Sequence, residues 1–403
     1  MKAVAITAGL TKANMREQPW CYVHQVWCRL PEHGMDGVIV SDGYPRRPAH
    51  ETIEGADVHR IRSVRCPPWL RNRPLQTVVR SQAPDVVLWN MGSTSLLHLA
   101  TDGLDDVPIV GLFTSPMYSL SEVMRLGPRR VVSDLRQLYV HLLAAAVPRV
   151  IMSRALAKAN FDALIVLTDK TKDDLVGLGA PSERIRVVPP GVNDDWLDAS
   201  VDLDTVAALR QQAKLEDSGF LVLYLGDPSF LRGPDVLIRA VAVARTRNPD
   251  VRLVLLCRRR PNEHAADERR LRQLIHALGQ DGATHLESGY LPRDMVRRWV
   301  AAADLVALPF LLVPSDAPIS ILEAVAAGKQ VVATAVDGIP SLLPDGALQL
   351  VPPGNVEALA GAILEAAAGR GEHRSGQRVR WRRRWRDVAV DVAAVLKTVA
   401  RNG

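Results

Sequence analysis

A 28-residue stretch decides the fold class: Val313-Pro-Ser-Asp-Ala-Pro-Ile-Ser-Ile-Leu-Glu-Ala-Val-Ala-Ala-Gly328, followed directly by Lys-Gln-Val-Val-Ala-Thr-Ala-Val336 and Asp-Gly-Ile-Pro340. Pro318 suits the first position of a helix and Gly328 suits its left-handed end, so the pattern predicts loop, helix, strand and turn. The loop–helix junction would aim free backbone N–H groups at an anion, with the carboxylate of Glu323 in the first turn. This arrangement suits a nucleotide diphosphate and its hydroxyl-bearing sugar.

The same helix start also has a purely structural interpretation. Ser320-Ile-Leu-Glu323 fits a capping box, in which the Ser side chain caps the helix and the Glu side chain caps back. A Glu323→Gln change separates the two interpretations. Gln still completes a capping box, whereas it weakens a carboxylate that clamps sugar hydroxyls.

Apolar β-rich runs alternate with helical patterns along the whole chain, and many of these runs are continuous rather than alternating. Continuous runs are typical of parallel strands buried on both faces, so we expect an α/β protein with a doubly wound sheet in each half. The candidate strands are residues 3–7, 37–41, 58–61, 86–89, 109–113, 163–167, 185–188, 220–225, 251–257, 284–287, 305–309, 331–335 and 348–351.

A length of 403 residues favours two domains. The Pro-Pro-Gly-Val-Asn-Asp-Asp run at 189–195 is the natural boundary, because it follows one strand pattern and precedes a polar helix at 202–214. We expect an N-terminal Rossmann-like domain at 1–190, a C-terminal Rossmann-like domain at 191–378, and a helical tail at 379–403. In that tail, Trp381, Trp385, Val388 and later Val residues repeat at helical spacing on one apolar face.

Composition and charge exclude several classes of protein. The sequence shows no signal peptide, no uncharged run long enough to span a membrane, and four scattered Cys without metal-ligand spacing, so we expect a reduced cytoplasmic protein. Eight Arg against one Glu in residues 370–386 give that segment +7 of the chain's net charge of +6, and the remainder sums to −1. A protein-wide nucleic-acid surface is therefore not expected.

A second motif follows the strand at 220–225. Gly226 is followed by a short loop, then Arg232-Gly233 and a helix that opens with Pro234. Arg232 would lie at the carboxyl edge of the sheet, where open α/β sheets bind ligands and where a guanidinium can grip a diphosphate. The alternative is a surface arginine beside an ordinary strand–helix turn.

Several stretches in a fixed order resemble the retaining glycosyltransferases of the GT-B fold, family 4 type, also called group 1. The resemblance covers mainly residues 160–400, about half of the chain. The matching stretches are residues 185–193, 223–239, 289–293, 301–309, 314–340, 350–354 and 358–363, with Arg384-Trp385 beginning the tail.

The resemblance implies two Rossmann-like domains with a cleft between them, and a nucleotide-diphosphate sugar held in that cleft. Gly226 and Arg232 would bind the diphosphate, and Arg232 would also serve catalysis. The backbone of Pro318, Ile319 and Ser320 would meet the phosphates, and Glu323 the ribose. No metal and no other cofactor is expected.

The sequence departs from the family pattern at positions near the expected chemistry. Asp227 stands where the family has an arginine, and Ser315 stands at the first of its two paired glutamates. The neighbouring Asp316 is therefore the candidate catalytic carboxylate. The N-terminal half lacks the family's glycine-rich loop with its His. Acceptor contacts are placed by topology at Gly9, Asn90, Thr114 and Ser115.

The resemblance thus implies a hexosyltransferase of EC class 2.4 that moves a sugar from a nucleotide donor to a glycan, lipid-linked glycan or small-molecule acceptor with retention of configuration. Two alternatives stay open: a catalytically silent GT-B protein that binds a sugar nucleotide or a partner, and a GT-B nucleotide-sugar epimerase. Incubation with UDP- and GDP-sugars separates them.

The tail interleaves Trp381 and Trp385 with arginines. One interpretation is a peripheral contact with an anionic membrane through Arg378 to Arg386. The other is that both Trp side chains pack on the N-terminal domain while the arginines stay solvated, and the sequence favours this second one. No nucleic-acid recognition module accompanies the charge.

Overall fold

The computed structural model describes residues 1–67, 70–99, 101, 103–133, 135–197, 201–213, 219–258, 264–313, 315–369 and 381–402. The chain forms two compact units. The first comprises Met1–Gly191, Pro314–Ala317 and Arg383–Gly403, and the second comprises Val192–Val313 and Pro318–Arg382. The domain limits expected at 190 and 378 stay a prediction, since compact packing does not test whether a segment folds by itself.

In the described part of the first unit, eight strands form one sheet in the order β3-β4-β2-β1-β5-β6-β7-β8. The strands are β1 Lys2–Ile6, β2 Asp36–Asp42, β3 His50–Ile53, β4 Ala56–Ile61, β5 Val86–Met91, β6 Ile109–Phe113, β7 Ala163–Val166 and β8 Ile185–Val187. The helices are α1 Trp20–Trp27, α2 Arg73–Ser81, α3 Leu120–Met124, α4 Pro128–Ser133, α5 Leu135–Ala146, α6 Arg149–Ala159 and α7 Asp169–Gly177.

In the described part of the second unit, six strands form a fully parallel sheet in the order β11-β10-β9-β12-β13-β14. The strands are β9 Phe220–Gly226, β10 Val251–Arg258, β11 Thr284–Gly289, β12 Leu305–Leu308, β13 Gln330–Thr334 and β14 Gln349–Val351. The helices are α8 Leu203–Gln212, α9 Pro234–Arg245, α10 Ala265–Ala277, α11 Arg293–Ala302, α12 Ile319–Ala326 and α13 Val356–Ala368.

The predicted doubly wound α/β fold is confirmed in both units. Every candidate strand overlaps an observed one, because central strands such as β6, which is buried along its whole length, need apolar side chains on both faces. One observed strand, β3, has no counterpart among the candidates. It pairs antiparallel with β4 at the edge of the first sheet. Its sequence, His-Glu-Thr-Ile, is mostly polar and gave no strand signal.

Both sheets have a topological switch point, where successive connections leave a strand toward opposite sides. In the first unit this point lies between β1 and β5, and in the second it lies between β9 and β12. Open α/β sheets bind ligands in the crevice beyond the carboxyl ends of such strands. We therefore expect ligand-binding residues directly after the strands β1, β5, β6, β9 and β12.

The C-terminal helix, α14 Trp385–Asn402, belongs to the first unit. Trp385 is 1% exposed and its ring meets Tyr22 edge-on, with 5.7 Å between centroids. A Cβ on Gly191 would lie 2.5 Å from the backbone of Arg384 and Trp385, so only glycine admits this close approach.

The helix is shorter than its apolar pattern predicts. It begins at Trp385, so Trp381 precedes it, and residues 379 and 380 lie outside the described residues. Arg383 forms an ion pair with Asp391 and donates from Nε to the carbonyl of Pro189 at 3.2 Å. For Trp385, packing on the first unit is therefore the observed arrangement.

Candidate functional site

Arg232 lies beyond the carboxyl end of β9, at the switch point of the second sheet. It ends a short 3₁₀ turn, Phe230–Arg232, and Gly233 follows with a φ of 72°. A Cβ on Gly233 would lie 1.9 Å from the carbonyl oxygen of Pro309, so the close packing of this turn on the chain after β12 requires glycine. A Cβ on Gly226 would likewise lie 3.1 Å from the Arg232 side chain.

Among the residues that the structure describes, the guanidinium of Arg232 is held on one side only. Its Nε donates to Oδ2 of Asp227 at 2.7 Å, and its central carbon lies 5.8 Å from the centroid of the Phe310 ring. Asp227 is itself fixed, because its Oδ1 accepts from the backbone N–H of Ser229 at 3.0 Å. These contacts use the Nε edge and leave the two-nitrogen fork for a ligand.

Asp227 also acts on the charge of Arg232. Burial alone would lower the pKa of the guanidinium, but the attraction of Asp227 and Tyr224, together with the hydrogen bond to Asp227, outweighs it and the pKa is raised. The position where the family resemblance implied a second cation thus carries an anion that secures the first one.

The start of α12 differs from the capping-box interpretation. The residue that caps the helix is Pro318, no side chain caps it, and the buried hydroxyl of Ser320 has no hydrogen-bond partner among the described residues. Pro318 therefore precedes the first helical position, and Glu323, the fifth residue of the helix, lies beyond the first turn. The capping-box interpretation is wrong, because Ser320 lies one residue inside the helix.

The carboxyl group of Glu323, in the second unit, has a strongly shifted pKa. Burial of its carboxyl group raises its pKa from 4.5 to about 7, with Arg293 opposing the shift and Asp195 adding to it. Arg293 and Asp195 approach each other at 3.4 Å. The carboxyl group is therefore poised between its neutral and charged forms near neutral pH, as is common at functional sites.

Asp316 lies in the first unit as part of the short segment Pro314–Ala317, whereas the chain before and after that segment belongs to the second unit. It is fully buried. Its Oδ1 accepts from the hydroxyl of Thr168 at 2.9 Å and its backbone N–H donates to the carbonyl of Thr114 at 3.1 Å. The Ser315 hydroxyl donates to the same carbonyl at 3.2 Å.

Two of the acceptor candidates join this arrangement. The Asn90 amide donates to the Thr7 hydroxyl at 2.8 Å, and its oxygen accepts from the Thr114 hydroxyl at 3.1 Å. Residues at the ends of β1, β5 and β6 thus form one polar network, which Thr114 links to Asp316. The structure therefore brings together Asn90, Thr114 and Asp316, which the sequence proposed separately.

Gly9 and Ser115 take other positions. The Gly9 N–H donates to Oδ1 of Asp42 at 2.8 Å, and the indole of Trp20 packs against this glycine. Ser115 packs on Gly92, where a Cβ would come within 2.6 Å of its hydroxyl oxygen. Among the described residues, the Ser115 hydroxyl makes no hydrogen bond to the Asn90–Thr114 network, and Gly9 offers only its backbone.

Sequence reasoning missed three contributors: Thr168, Asp195 and Arg293. Thr168 follows β7 as Thr114 follows β6, so the strand-end position could have found it. Asp195 lies in the Pro-Gly run that was interpreted only as a domain boundary, and Arg293 begins α11 without any distinctive pattern.

Within the described ranges, no group of three or more His, Cys, Asp or Glu side chains could hold a metal ion. A search of the same residues finds no helix that is long and apolar enough to cross a membrane.

Two family models match the chain in succession. The model for "Glycosyltransferase Family 4" matches residues 22–196, and the model for "Glycosyl transferases group 1" matches residues 219–368. Solved structures with the same fold include sucrose-phosphate synthase from Thermosynechococcus elongatus, with a TM-score of 0.66, 18% identity, and coverage of 100% of this chain and 96% of that one. Another is HepE of Anabaena in complex with UDP, with a TM-score of 0.67, 17% identity, and coverage of 100% and 98%.

The fold and the two model matches define a glycosyltransferase of the GT-B type. The chain belongs to the group 1, family 4 glycosyltransferases. A D-inositol 3-phosphate glycosyltransferase from Xylanimonas cellulosilytica is 36% identical over 195 residues, which are 46% of this chain and 44% of the relative. One from Saccharomonospora viridis is 32% identical over 243 residues, or 56% and 54%. The chain spans about half the length of the curated relatives it matches.

Proposed function

We propose that the protein transfers a sugar from a nucleotide-diphosphate donor to an acceptor, with retention of configuration. The observation that carries this proposal is Arg232: a charged guanidinium, anchored on its Nε edge by Asp227, with its fork left for a ligand at the switch point of the second sheet. A planar cation held in this way fits a diphosphate better than it fits a purely structural role.

The start of α12 would supply the remaining phosphate contacts. The first N–H groups of a helix have no partner within the helix, and here no side chain caps them. The backbone of Pro318, Ile319 and Ser320, together with the unpartnered Ser320 hydroxyl, can therefore meet the phosphates. Gly226 keeps the space beside Arg232 open.

Glu323 would hold the ribose. A carboxylate accepts from two adjacent hydroxyl groups, which stabilises its charged form and lowers its pKa from the raised value of the free protein. Donor binding is therefore expected to release a proton from Glu323 near neutral pH. Equilibrium titration with UDP in two buffers of different ionisation enthalpy measures this release.

During transfer, the bond from the anomeric carbon to the diphosphate oxygen breaks and a bond to the acceptor oxygen forms on the same face, while the acceptor hydroxyl passes its proton to the departing diphosphate. Negative charge develops on the departing diphosphate, and Arg232 with the α12 amides would stabilise it. Asp316 would act near the donor sugar, positioned through Thr168 and Thr114. No metal ion is needed in this scheme.

The relatives suggest the substrate classes. HepE has been crystallised with UDP and with UDP-glucose, so a UDP-hexose is the first donor to test. The curated relatives act on an inositol phosphate, so a small phosphorylated polyol is the first acceptor to test. Asn90 and Thr114 would contact the acceptor, with Gly9 and Ser115 at neighbouring strand ends.

The decisive experiment compares Arg232→Lys and Arg232→Ala with Arg210→Lys. Arg210 is a matched control, since it pairs with Asp304 at 3.0 Å and its side chain is 17% exposed against 20% for Arg232. We expect Arg232→Ala to lower kcat for transfer or slow donor hydrolysis by about 10²–10³-fold, as for loss of one charge-stabilising donor. Equal losses in the Arg210 and Arg232 variants would reject the assignment.

A catalytically silent protein that binds sugar nucleotides is the second candidate. Two observations favour it: Asp316 is fully buried, and Asp227 offsets the charge of Arg232. UDP binding without donor hydrolysis or transfer, across a panel of UDP- and GDP-sugars, would support it. An altered sugar configuration with the nucleotide still attached would identify an epimerase instead.

A further inference from the structure

Trp196 buries a polar group that has no partner in the described part of the chain. The side chain is 6% exposed, and its indole Nε1 is shielded from solvent without a hydrogen bond to any described residue. An unpaired buried donor costs folding free energy, and native proteins contain few of them. A phenylalanine would fill most of the same space without this cost, so packing alone does not account for a tryptophan here.

The turn that holds Trp196 also holds Asp195. Residues Asp194–Trp196 form a short 3₁₀ turn, which two backbone hydrogen bonds of 3.0 and 2.9 Å close. Because such a turn has three residues per revolution, neighbouring side chains leave it about 120° apart. The Asp195 side chain reaches the start of α11, where its Oδ1 accepts from Nη2 of Arg293 at 3.4 Å. The turn thus fixes both side chains relative to α11.

The carboxyl group of Glu323 is the meeting point of these side chains. Burial raises its pKa, and three elements of the second unit bring charges near it: Arg293 from α11, Asp195 from the turn and Arg258 from the end of β10. Both arginines lower the pKa and Asp195 raises it. The Trp196 N–H also favours the ionised form and lowers the pKa, although the two groups do not meet in full hydrogen-bond geometry.

The chemistry of an indole N–H decides what it can do beside a carboxyl group. It donates and never accepts, and it binds an ionised carboxylate more strongly than a protonated one. Asp195 is the other carboxylate of this cluster, but Arg293 already holds its Oδ1. Glu323 is therefore the acceptor that suits Trp196, and the contact distinguishes the charged form of Glu323 from the neutral one.

We propose that Trp196 is a positioning residue for Glu323: its indole N–H donates to the ionised carboxylate and fixes its orientation towards the ribose of the donor. Arg293, anchored by Asp195, holds the same carboxylate from a second element. The inference rests on the proposed role of Glu323 and adds the means by which a buried carboxyl group is offered in its charged form. Trp196 thereby sets the pH range in which the site accepts a nucleotide.

The first test follows the indole N–H by nuclear magnetic resonance in the free protein, without any donor. Among the eight tryptophans of the chain, the Hε1 resonance of Trp196 is the one that Trp196→Phe removes. We expect it to move downfield as the pH rises, with a midpoint at about pH 7, because the hydrogen bond forms as Glu323 ionises. In Glu323→Gln the resonance should not titrate. A resonance that stays constant in the wild type overturns the proposal.

The second test measures UDP affinity against pH by calorimetry for the wild type, Trp196→Phe and Trp299→Phe. Trp299 is the matched control, since it is 2% exposed, lies in the same unit and stacks on the ring of His285. We expect Trp196→Phe to bind UDP about tenfold more weakly at pH 6, because losing a hydrogen bond to a charged group makes its ionisation about tenfold less favourable. At pH 9 the carboxyl group is ionised in both proteins, and the difference should nearly disappear. Comparison with the wild type at each pH cancels the titration of UDP itself.

A third comparison leaves the buried tryptophan intact, so that it holds even where Trp196→Phe unfolds. Arg293→Gln removes the second hold on Glu323, and Arg298→Gln on the same helix is its control. The two arginine side chains are 39% and 50% exposed, and each pairs with an aspartate. We expect UDP affinity at pH 7 to fall by about threefold for Arg293→Gln, as for a partly exposed ion pair, and to stay unchanged for the control.

A double-mutant cycle separates this inference from the proposed function. The effect of Trp196→Phe on UDP affinity should vanish in a Glu323→Gln background. An equal loss in both backgrounds would show that the indole contacts the donor itself, which overturns the positioning role. If Glu323→Gln weakens UDP binding while Trp196→Phe and Trp299→Phe behave alike at every pH, the proposed function stands and the inference fails. UDP binding that Glu323→Gln leaves unchanged would reject the ribose contact, and a titrating indole would then mark a purely structural pair.

Discussion

Replacing Glu323 with Gln should stabilise the protein and weaken donor binding at the same time. Burial raises the pKa of this carboxyl group from 4.5 to about 7, so the folded protein holds its proton more tightly than the unfolded chain does. Stability is therefore lost as the pH rises from about 4.5 to about 7, and above that the full cost remains. Below about pH 4.5 both states are protonated, and the cost disappears.

The size of the effect follows from the shift. About 2.5 pKa units at 1.36 kcal/mol each correspond to roughly 3 kcal/mol above pH 7. The side chain keeps some exposure to solvent, so we expect about 2 kcal/mol of this to be realised. Gln has nearly the same shape and cannot ionise, so the variant should recover that free energy. The midpoint of thermal unfolding of the second unit should rise by roughly 4–8 °C at pH 8.

Thermal unfolding of the wild type and the Gln variant is followed between pH 5 and pH 8.5, with Glu183→Gln, an exposed glutamate, as control. The advantage of Glu323→Gln should grow from pH 5 to about pH 7 and then level off, while the control stays flat. UDP affinity is measured in the same buffers. It should fall by about tenfold for the Glu323 variant, because a neutral amide accepts less strongly from ribose hydroxyls.

Two results would refute this reasoning. A Gln variant that is no more stable than the wild type at pH 8.5 would show that the carboxyl group ionises at its ordinary pKa. Unchanged UDP affinity in a stabilised variant would confirm the buried carboxyl group but remove Glu323 from the donor site.

The remaining predictions concern three other contacts. Asp316→Asn should lower kcat by about 10²-fold while leaving unfolding nearly unchanged, whereas Thr168→Val should cost about 1 kcal/mol of stability and less activity; equal kinetic losses would argue against a direct role for Asp316. Gly191→Ala should destabilise the first unit by about 2–4 kcal/mol, because its Cβ would meet the backbone before α14. Gly361→Ala on α13, where nothing lies within 4 Å, should instead stabilise by about 0.5–1 kcal/mol, and guanidinium titration distinguishes the two. Asp227→Asn should tighten UDP binding by about tenfold by removing a charge near the diphosphate, and calorimetry at low and high salt checks it.

The sequence predicted most of the fold because the strands are buried on both faces. Continuous apolar runs such as Ile109–Phe113 fit a strand buried on both faces better than any exposed element. The observed strand β6 has the predicted bounds. The edge strand β3 escaped because an edge position tolerates polar side chains. The start of the C-terminal helix was placed too early, since Trp381 and Trp385 share a helical spacing that only Trp385 realises.

The site was predictable where a backbone motif carries it. The turn at Gly233 before α9 made the position of Arg232 predictable. The ends of the strands made the positions of Asn90 and Thr114 predictable. What the sequence could not supply was the partner of each charge. Arg232 meets Asp227 five residues away, and Thr168 meets Asp316 at a separation of 148 residues. Such pairings depend on tertiary packing, which local pattern does not encode.

The packing of Trp385 on Tyr22 has a consequence for how the molecule is made. The first unit draws its core from both ends of the chain, so a ribosome that has finished residue 191 has not yet supplied the helix that covers Tyr22. The apolar surface that α14 covers therefore stays exposed to solvent until the whole second unit has been synthesised. A truncated fragment that ends at Gly191 would keep that surface bare, and a separately added peptide of residues 383–402 should complete it.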